Sequence, residues 1–362
     1  MLAVMALLHA LLIAVSLAIQ PLGGRVDALE HRRSIHRGQF NAVVRGLVEL
    51  APSDGPQLLV VGASNALLGF RPDEIEALLP GTRVHNLATA SMRADEMRDL
   101  VQTAWNLESE VQRKQTTFVA ALLFASFPGP RSVYVRRSDG IAAEVRRSGL
   151  FDESRDGFVP RWDRRAVRLA ALLERPLALA DAVRDESTLA TYGLRSFFSA
   201  AYFERKLDAA RLLRSDPSDM MLFPRADGPE GRAASLAFFQ AALPGGVDAL
   251  DPAQVDQVVA LTRWATERNV HLVLVAMPSP QWVRDGLPFY GRYAAALDRI
   301  ADASRGAATV HFVDLTNADV PLWDASHPEP QGTRAWAEAL VAALPAERPI
   351  AGNARASAAE AR

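Results

Sequence analysis

Residues 58–65 read Leu-Leu-Val-Val-Gly-Ala-Ser-Asn. Four consecutive apolar, β-compatible residues suit a short buried strand, and the Gly-Ala-Ser-Asn behind them turns the chain toward a helix. The turn-rich run Ala51-Pro52-Ser53-Asp54-Gly55-Pro56 just before it marks the start of the folded domain. Downstream, a helical segment from about Asp73 to Leu79 precedes a second short strand, Arg83 to Asn86. One long amphipathic stretch from about Met92 to Arg113 then leads to a third strand, Phe118 to Phe124 (FVAALLF). That strand does not alternate apolar with polar residues, so both its faces are buried, as in a parallel sheet.

Between Pro128 and Gly246 the pattern changes to Arg-rich turns and helical stretches, about Arg164 to Arg184, Leu194 to Leu213 and Gly231 to Leu243, with little strand signal. We read a helical insertion. The alternation resumes with a helix from about Pro252 to Arg268, a strand His271 to Met277, a helix Tyr290 to Ser304, a strand Thr309 to Leu315 and a last helix from about Gln331 to Leu344. Strands alternating with helices of this length predict right-handed βαβ units. The expected fold is therefore α/β, a doubly wound, mainly parallel sheet in three layers over residues 51–348. A disordered Ala-rich tail is expected at 349–362.

The chain has 362 residues, 49% apolar and 23% charged, a globular composition long enough to bury a sizeable core. Lys and Arg total 40 against 42 Asp and Glu, so no global field gathers nucleic acid along the surface, and no nucleic-acid partner is expected. With no cysteine there is no disulfide, thiolate nucleophile or Cys-ligated metal. Walker, dinucleotide and zincin motifs are missing too, so no cofactor and no metal are implied.

Residues Met1 to Ile19 are apolar apart from His9 and Ser16, and about 20 such residues, rising about 1.5 Å each, cross a hydrocarbon core of about 30 Å. We expect a membrane anchor at 1–20, the alternative being a cleaved signal peptide without a basic leader or a good cleavage site. A helical stalk over 21–50 would follow. Arg25, Arg32, Arg33 and Arg37 come after the span, which by the positive-inside count puts the domain in the cytoplasm. Long domains translocate with little regard for charge, and the expectation carried forward is a single-pass inner-membrane protein with an extracytoplasmic domain.

In an open parallel sheet, ligands gather beyond the carboxyl ends of the strands. The polar residues there are Ser64 and Asn65 after the first strand, Asn86 and Ser91 after the second, Ser126 after the third, and Asp324 and His327 ahead of the last helix. Of seven His residues, only His327 has an Asp three positions before it, a spacing that lets a carboxylate hold Nδ1–H while Nε2 faces outward as a base. Ser64 is the natural object of that base. The competing reading is that Ser64 caps the next helix and Asp324 caps a turn. Trp323, adjacent to Asp324, is the aromatic expected to line the site. Trp282, Phe289 and Tyr290 read as core more readily than as a sugar-stacking wall, and the Arg131, Arg136, Arg137, Arg146, Arg147 cluster reads as a solvated surface.

The blocks VVGASNALLGF, HNLATASMRADEM, FVAALLFASF and WDASHPEPQGTRAWAEAL, in this order, resemble the SGNH (GDSL-type) hydrolase superfamily. The closer likeness is to its membrane-anchored bacterial branch, with relatives of alginate O-acetylation and D-alanyl-transfer proteins. The resemblance spans Gln57 to Leu344 and covers the 128–246 insertion poorly. It implies Ser64 as nucleophile and Asp324 and His327 as its partners. Ser91 stands where the family has its oxyanion-hole Gly, and the family's third-block Asn is missing, with Ser126 nearest and Asn65 or Asn86 as other amide sources. It further implies a membrane-tethered esterase or O-acetyltransferase acting on a cell-surface glycan, with a multipass membrane acyltransferase as a possible partner. The alternative is a non-catalytic accessory protein of the same fold; a cytoplasm-facing lipid esterase follows if the charge count is taken literally.

Overall fold

A computed structural model describes residues 55–137, 140–161, 225–329 and 332–345, with the single positions Leu7, Ala10, Leu11, Leu47 and Leu50. The chain runs β1 (Gln57–Gly62), α1 (Ser64–Gly69), α2 (Pro72–Leu78), β2 (Arg83–Asn86), α3 (Ala94–Leu107), α4 (Glu110–Gln115) and β3 (Thr116–Leu122). Then come α5 (Val133–Arg137), α6 (Gly140–Arg147), the strands β4 (Phe151–Ser154) and β5 (Gly157–Pro160), and α7 (Gly228–Ala242). The last part is α8 (Pro252–Glu267), β6 (His271–Ala276), α9 (Gln281–Gly286), α10 (Tyr290–Ser304), β7 (Val310–Asp314) and α11 (Thr333–Ala343).

Five strands form one parallel sheet in the order β2-β1-β3-β6-β7. Every residue of β1 and β3 is buried, which is why their sequences run apolar without alternation. The chain leaves β1 to one side and returns past it to β3, so with right-handed crossovers the connecting helices fall on opposite faces. α1, α2 and α11 pack together, and α3, α8 and α10 form the other layer. The strand order reverses between β1 and β3, and it is beyond the carboxyl ends at such a reversal that open parallel sheets gather their ligands. Ser64 sits at that point.

Two expectations change. The stretch read as one helix from Met92 to Arg113 is two, α3 and α4, broken at Glu108. Ser109 caps α4, its Oγ accepting from Gln112 N–H at 3.3 Å while the Gln112 side chain accepts from Ser109 N–H at 3.2 Å. The insertion read as helical also carries the antiparallel β4–β5 hairpin, which is held from outside: Phe158 N–H donates to Thr103 Oγ1 at 3.1 Å, and Asn106 donates to the carbonyls of Asp156 and Phe158. The helices expected at 164–184 and 194–213, the membrane span, most of the stalk and the tail lie outside the described residues. Leu47 and Leu50, from the end of the stalk segment, are buried in the core. Among the described residues no helix is long and apolar enough to cross a membrane.

The site-bearing helix α1 is seated on α11 through Gly69, where a Cβ would meet Trp336 Cε3 at 2.5 Å. Trp336 is itself 1% exposed, stacks edge-on against Phe70 at 6.1 Å and donates Nε1–H to Pro321 C=O, so it has nowhere to move. Gly69→Ala is therefore expected to lower stability by about 1–3 kcal/mol through overpacking. Urea unfolding checks this, an unchanged midpoint being the contrary result.

Candidate active site

Ser64 is the first residue of α1, and Ala63 occupies the N-cap position with no side-chain cap bond. Its hydroxyl does not cap the helix. Instead Ser64 Oγ lies 2.7 Å from His327 Nε2, across 263 residues of chain. On the other side of the imidazole, Nδ1 lies 2.7 Å from Asp324 Oδ2. Asp324 also caps its own turn, because Oδ1 accepts from Ser326 N–H at 2.7 Å and from His327 N–H at 2.9 Å. Asp324 thus caps its own turn with one oxygen and contacts the His327 ring with the other.

The tight loop follows from that cap. Trp323 N–H donates to His327 C=O at 2.8 Å and a bridge joins Leu322 to Pro328, which folds residues 322–328 back on themselves. Asp324 is fully buried and His327 is 2% exposed, whereas Ser64 keeps access to solvent. Burial alone would push the Asp324 carboxyl up. The His327 ring opposite it, together with the N–H groups of Ser326 and His327, outweighs that cost and holds the carboxyl below its ordinary value of 3.8.

Ser91 is a residue that needs explaining, since its φ of 62° lies in the left-handed region. It is the third residue of a turn closed by Met92 N–H on Thr89 C=O at 3.3 Å, a position that favours Gly. Thr89 N–H in turn bonds Gly62 C=O at 3.0 Å, which sets this turn beside the end of β1. Because a left-handed residue with a Cβ costs about 1–2 kcal/mol, Ser91→Gly is expected to raise stability by up to about 1 kcal/mol, the added backbone freedom offsetting part of the gain. A lower urea midpoint in that variant would show that the Ser91 side chain is itself needed.

The other candidates divide. Asn86 is committed elsewhere: its amide nitrogen donates to the carbonyls of Ala66 and Phe70, each at 2.9 Å, and its oxygen accepts from Ala88 N–H at 2.9 Å. It ties β2 to the end of α1 and has no N–H left for a ligand, which corrects the reading of Asn86 as an oxyanion donor. Ser126 is fully buried in the short turn after β3, its hydroxyl accepting from Leu123 N–H at 3.4 Å. Asn65, in the first turn of α1, is fully buried with no partner on either amide atom. Trp323 is half-buried, with the Arg225 guanidinium 5.2 Å from its ring centre. Phe289 and Tyr290 are core, and Arg146 pairs with Glu153 at 3.0 Å.

Three contributors escaped the sequence reading. Ser326 Oγ lies 3.3 Å from Asp324 Oδ1 and 3.2 Å from His327 Nδ1. Ser235, on α7, accepts from Ala325 N–H at 2.9 Å. Arg225 pairs with Glu329 at 2.8 Å. Ser326 lies inside the Asp-x-x-His run and could have been picked out; nothing in the sequence marks the other two. Among the described residues, no group of three or more acidic or imidazole side chains could hold a metal ion.

The fold and site together define an α/β domain whose parallel sheet carries a hydrogen-bonded Ser–His–Asp array at its carboxyl edge. No protein-family model matches the chain, and no curated protein does.

Proposed function

We propose that the chain is a serine acyl-ester hydrolase or O-acetyltransferase of the SGNH type, with the flavodoxin-like strand order of that superfamily. The observation that carries the reading is the continuous array from Ser64 Oγ through His327 to Asp324, with both links at 2.7 Å. In this reading Ser64 attacks the acyl carbonyl while His327 Nε2 takes its proton. His327 then returns the proton to the leaving alcohol, and Asp324 holds the tautomer that keeps Nε2 unprotonated. The Ser64 N–H, which as the first helical residue has no intrahelical acceptor, and the Ser91 N–H, in the turn that Thr89 ties to the end of β1, would stabilise the oxyanion. The acceptor is a cell-surface glycan hydroxyl or water, and the domain is tethered to the membrane on its extracytoplasmic side.

One observation favours a second reading, a non-catalytic accessory protein that binds glycan or a membrane acyltransferase. The third oxyanion donor of the superfamily has no counterpart in Asn86, whose amide hydrogens are spent. Release of p-nitrophenol from p-nitrophenyl acetate by the purified full chain, with mass spectrometry for an acetyl adduct on Ser64, separates the two. Turnover or an adduct supports the enzyme. Neither, from a folded chain, supports the accessory protein.

A further inference from the structure

The loop that carries Asp324 and His327 is stiff within itself but is not thereby fixed relative to Ser64, which stands on a different element. Trp336 holds the loop's start at Pro321, next to α1, and further anchors come from the far end of the insertion. Ala226 N–H donates to Trp323 C=O at 2.7 Å, Arg225 pairs with Glu329 at 2.8 Å, and Ser235 Oγ accepts from Ala325 N–H at 2.9 Å. The third contact is the deep one, since Ser235 is 2% exposed and Ala325 fully buried, which leaves no water to replace the hydroxyl. Four residues on, and so on the same face of α7, Phe239 packs edge-on against Phe124 at 5.1 Å, just past the end of β3. A continuous path therefore runs from the sheet through Phe124, Phe239 and Ser235 to the residue between Asp324 and Ser326.

From this geometry we infer that Ser235 is a positioning residue for acyl transfer, holding the Asp324–His327 loop at hydrogen-bond reach of Ser64. The inference rests on the reading of Ser64 as nucleophile. Ser235→Ala leaves the Ala325 N–H buried without a partner and lets the loop shift, and a displacement of about 1 Å at a reacting pair can cost on the order of 100-fold in rate. Ser235→Thr keeps an acceptor oxygen on the same Cβ.

The test is the rate and the amplitude of Ser64 labelling by a fluorophosphonate, measured on the full chain beside ester turnover. Ser235→Ala is expected to label to the same final amplitude with a rate constant on the order of 10- to 100-fold lower. Its kcat should fall by a similar factor at nearly unchanged KM, with Ser235→Thr recovering most of the loss. Reduced amplitude at an unchanged rate constant would mean that Ser235 only supports folding, and would overturn the inference. An active wild type with Ser235→Ala unaffected overturns it as well, leaving the functional reading intact. A folded wild type that neither labels nor turns over overturns both.

Discussion

Ser64→Ala is expected to lower kcat for ester cleavage by about 10⁴-fold or more and to abolish the acyl adduct, while the fold stays intact. The size of the effect follows from what the hydroxyl does in the array. Its oxygen lies 2.7 Å from His327 Nε2, and in the proposed mechanism it is the group whose proton the imidazole takes, so its removal leaves that base without its substrate proton. In the proposed mechanism what would remain is binding and oxyanion stabilisation, which in serine hydrolases retain only about 10³–10⁴-fold over water. The folded state should hardly notice, because Ser64 makes no cap bond and keeps access to solvent. The lost Ser64–His327 hydrogen bond is worth about 1 kcal/mol net. Kinetics with p-nitrophenyl acetate and a urea titration on the same preparation check both halves. A variant that keeps more than a tenth of the activity would end the nucleophile assignment.

Much of this site lies close in sequence, and that part could be read. Asp324 and His327 are three residues apart, so the loop geometry that joins them is local, and an Asp-x-x-His ahead of a helix suffices to suggest it. The link to Ser64 spans 263 residues and exists only because β1 and the segment before α11 end at the same edge of the sheet. Alternation of strands with helices predicted such an edge. What stayed hidden are contacts with no local signature. Ser235 is an ordinary helical serine until α7 meets Ala325, and the β4–β5 hairpin is four residues a side, with ladder partners as unlike as Glu153 and Phe158. The hairpin depends on Thr103 and Asn106 of α3, which no window on residues 151–160 contains. The break before α4 is a different case. Ser109-Glu110-Val111-Gln112 is a capping-box signature in plain view, and the continuous amphipathic pattern around it masked the stop.

Asp324→Asn should reduce kcat by about 10⁴-fold while leaving the side chain in place, for a reason that can be followed atom by atom. Oδ1 accepts from the main-chain N–H groups of Ser326 and His327, at 2.7 and 2.9 Å, so in the variant that position must remain the amide oxygen. The NH₂ then falls where Oδ2 stood, 2.7 Å from His327 Nδ1. A donor there obliges Nδ1 to accept, which puts the ring proton on Nε2, facing Ser64. The imidazole is then in the tautomer that cannot act as base, although no atom has moved far. Phosphonate labelling of Ser64 should slow in parallel with turnover.

The same substitution has a pH signature in stability. Folding lowers the Asp324 carboxyl below its ordinary value of 3.8, so its stabilising contribution is complete above that pH and is lost as pH falls through the depressed folded value. Wild type should therefore exceed Asp324→Asn in urea midpoint at about pH 5, and the margin should narrow as pH falls below the ordinary value of 3.8 through the depressed folded value. The absence of a margin at about pH 5 would mean that Asp324 is not the buried, ionised partner of His327, and the tautomer argument would go with it.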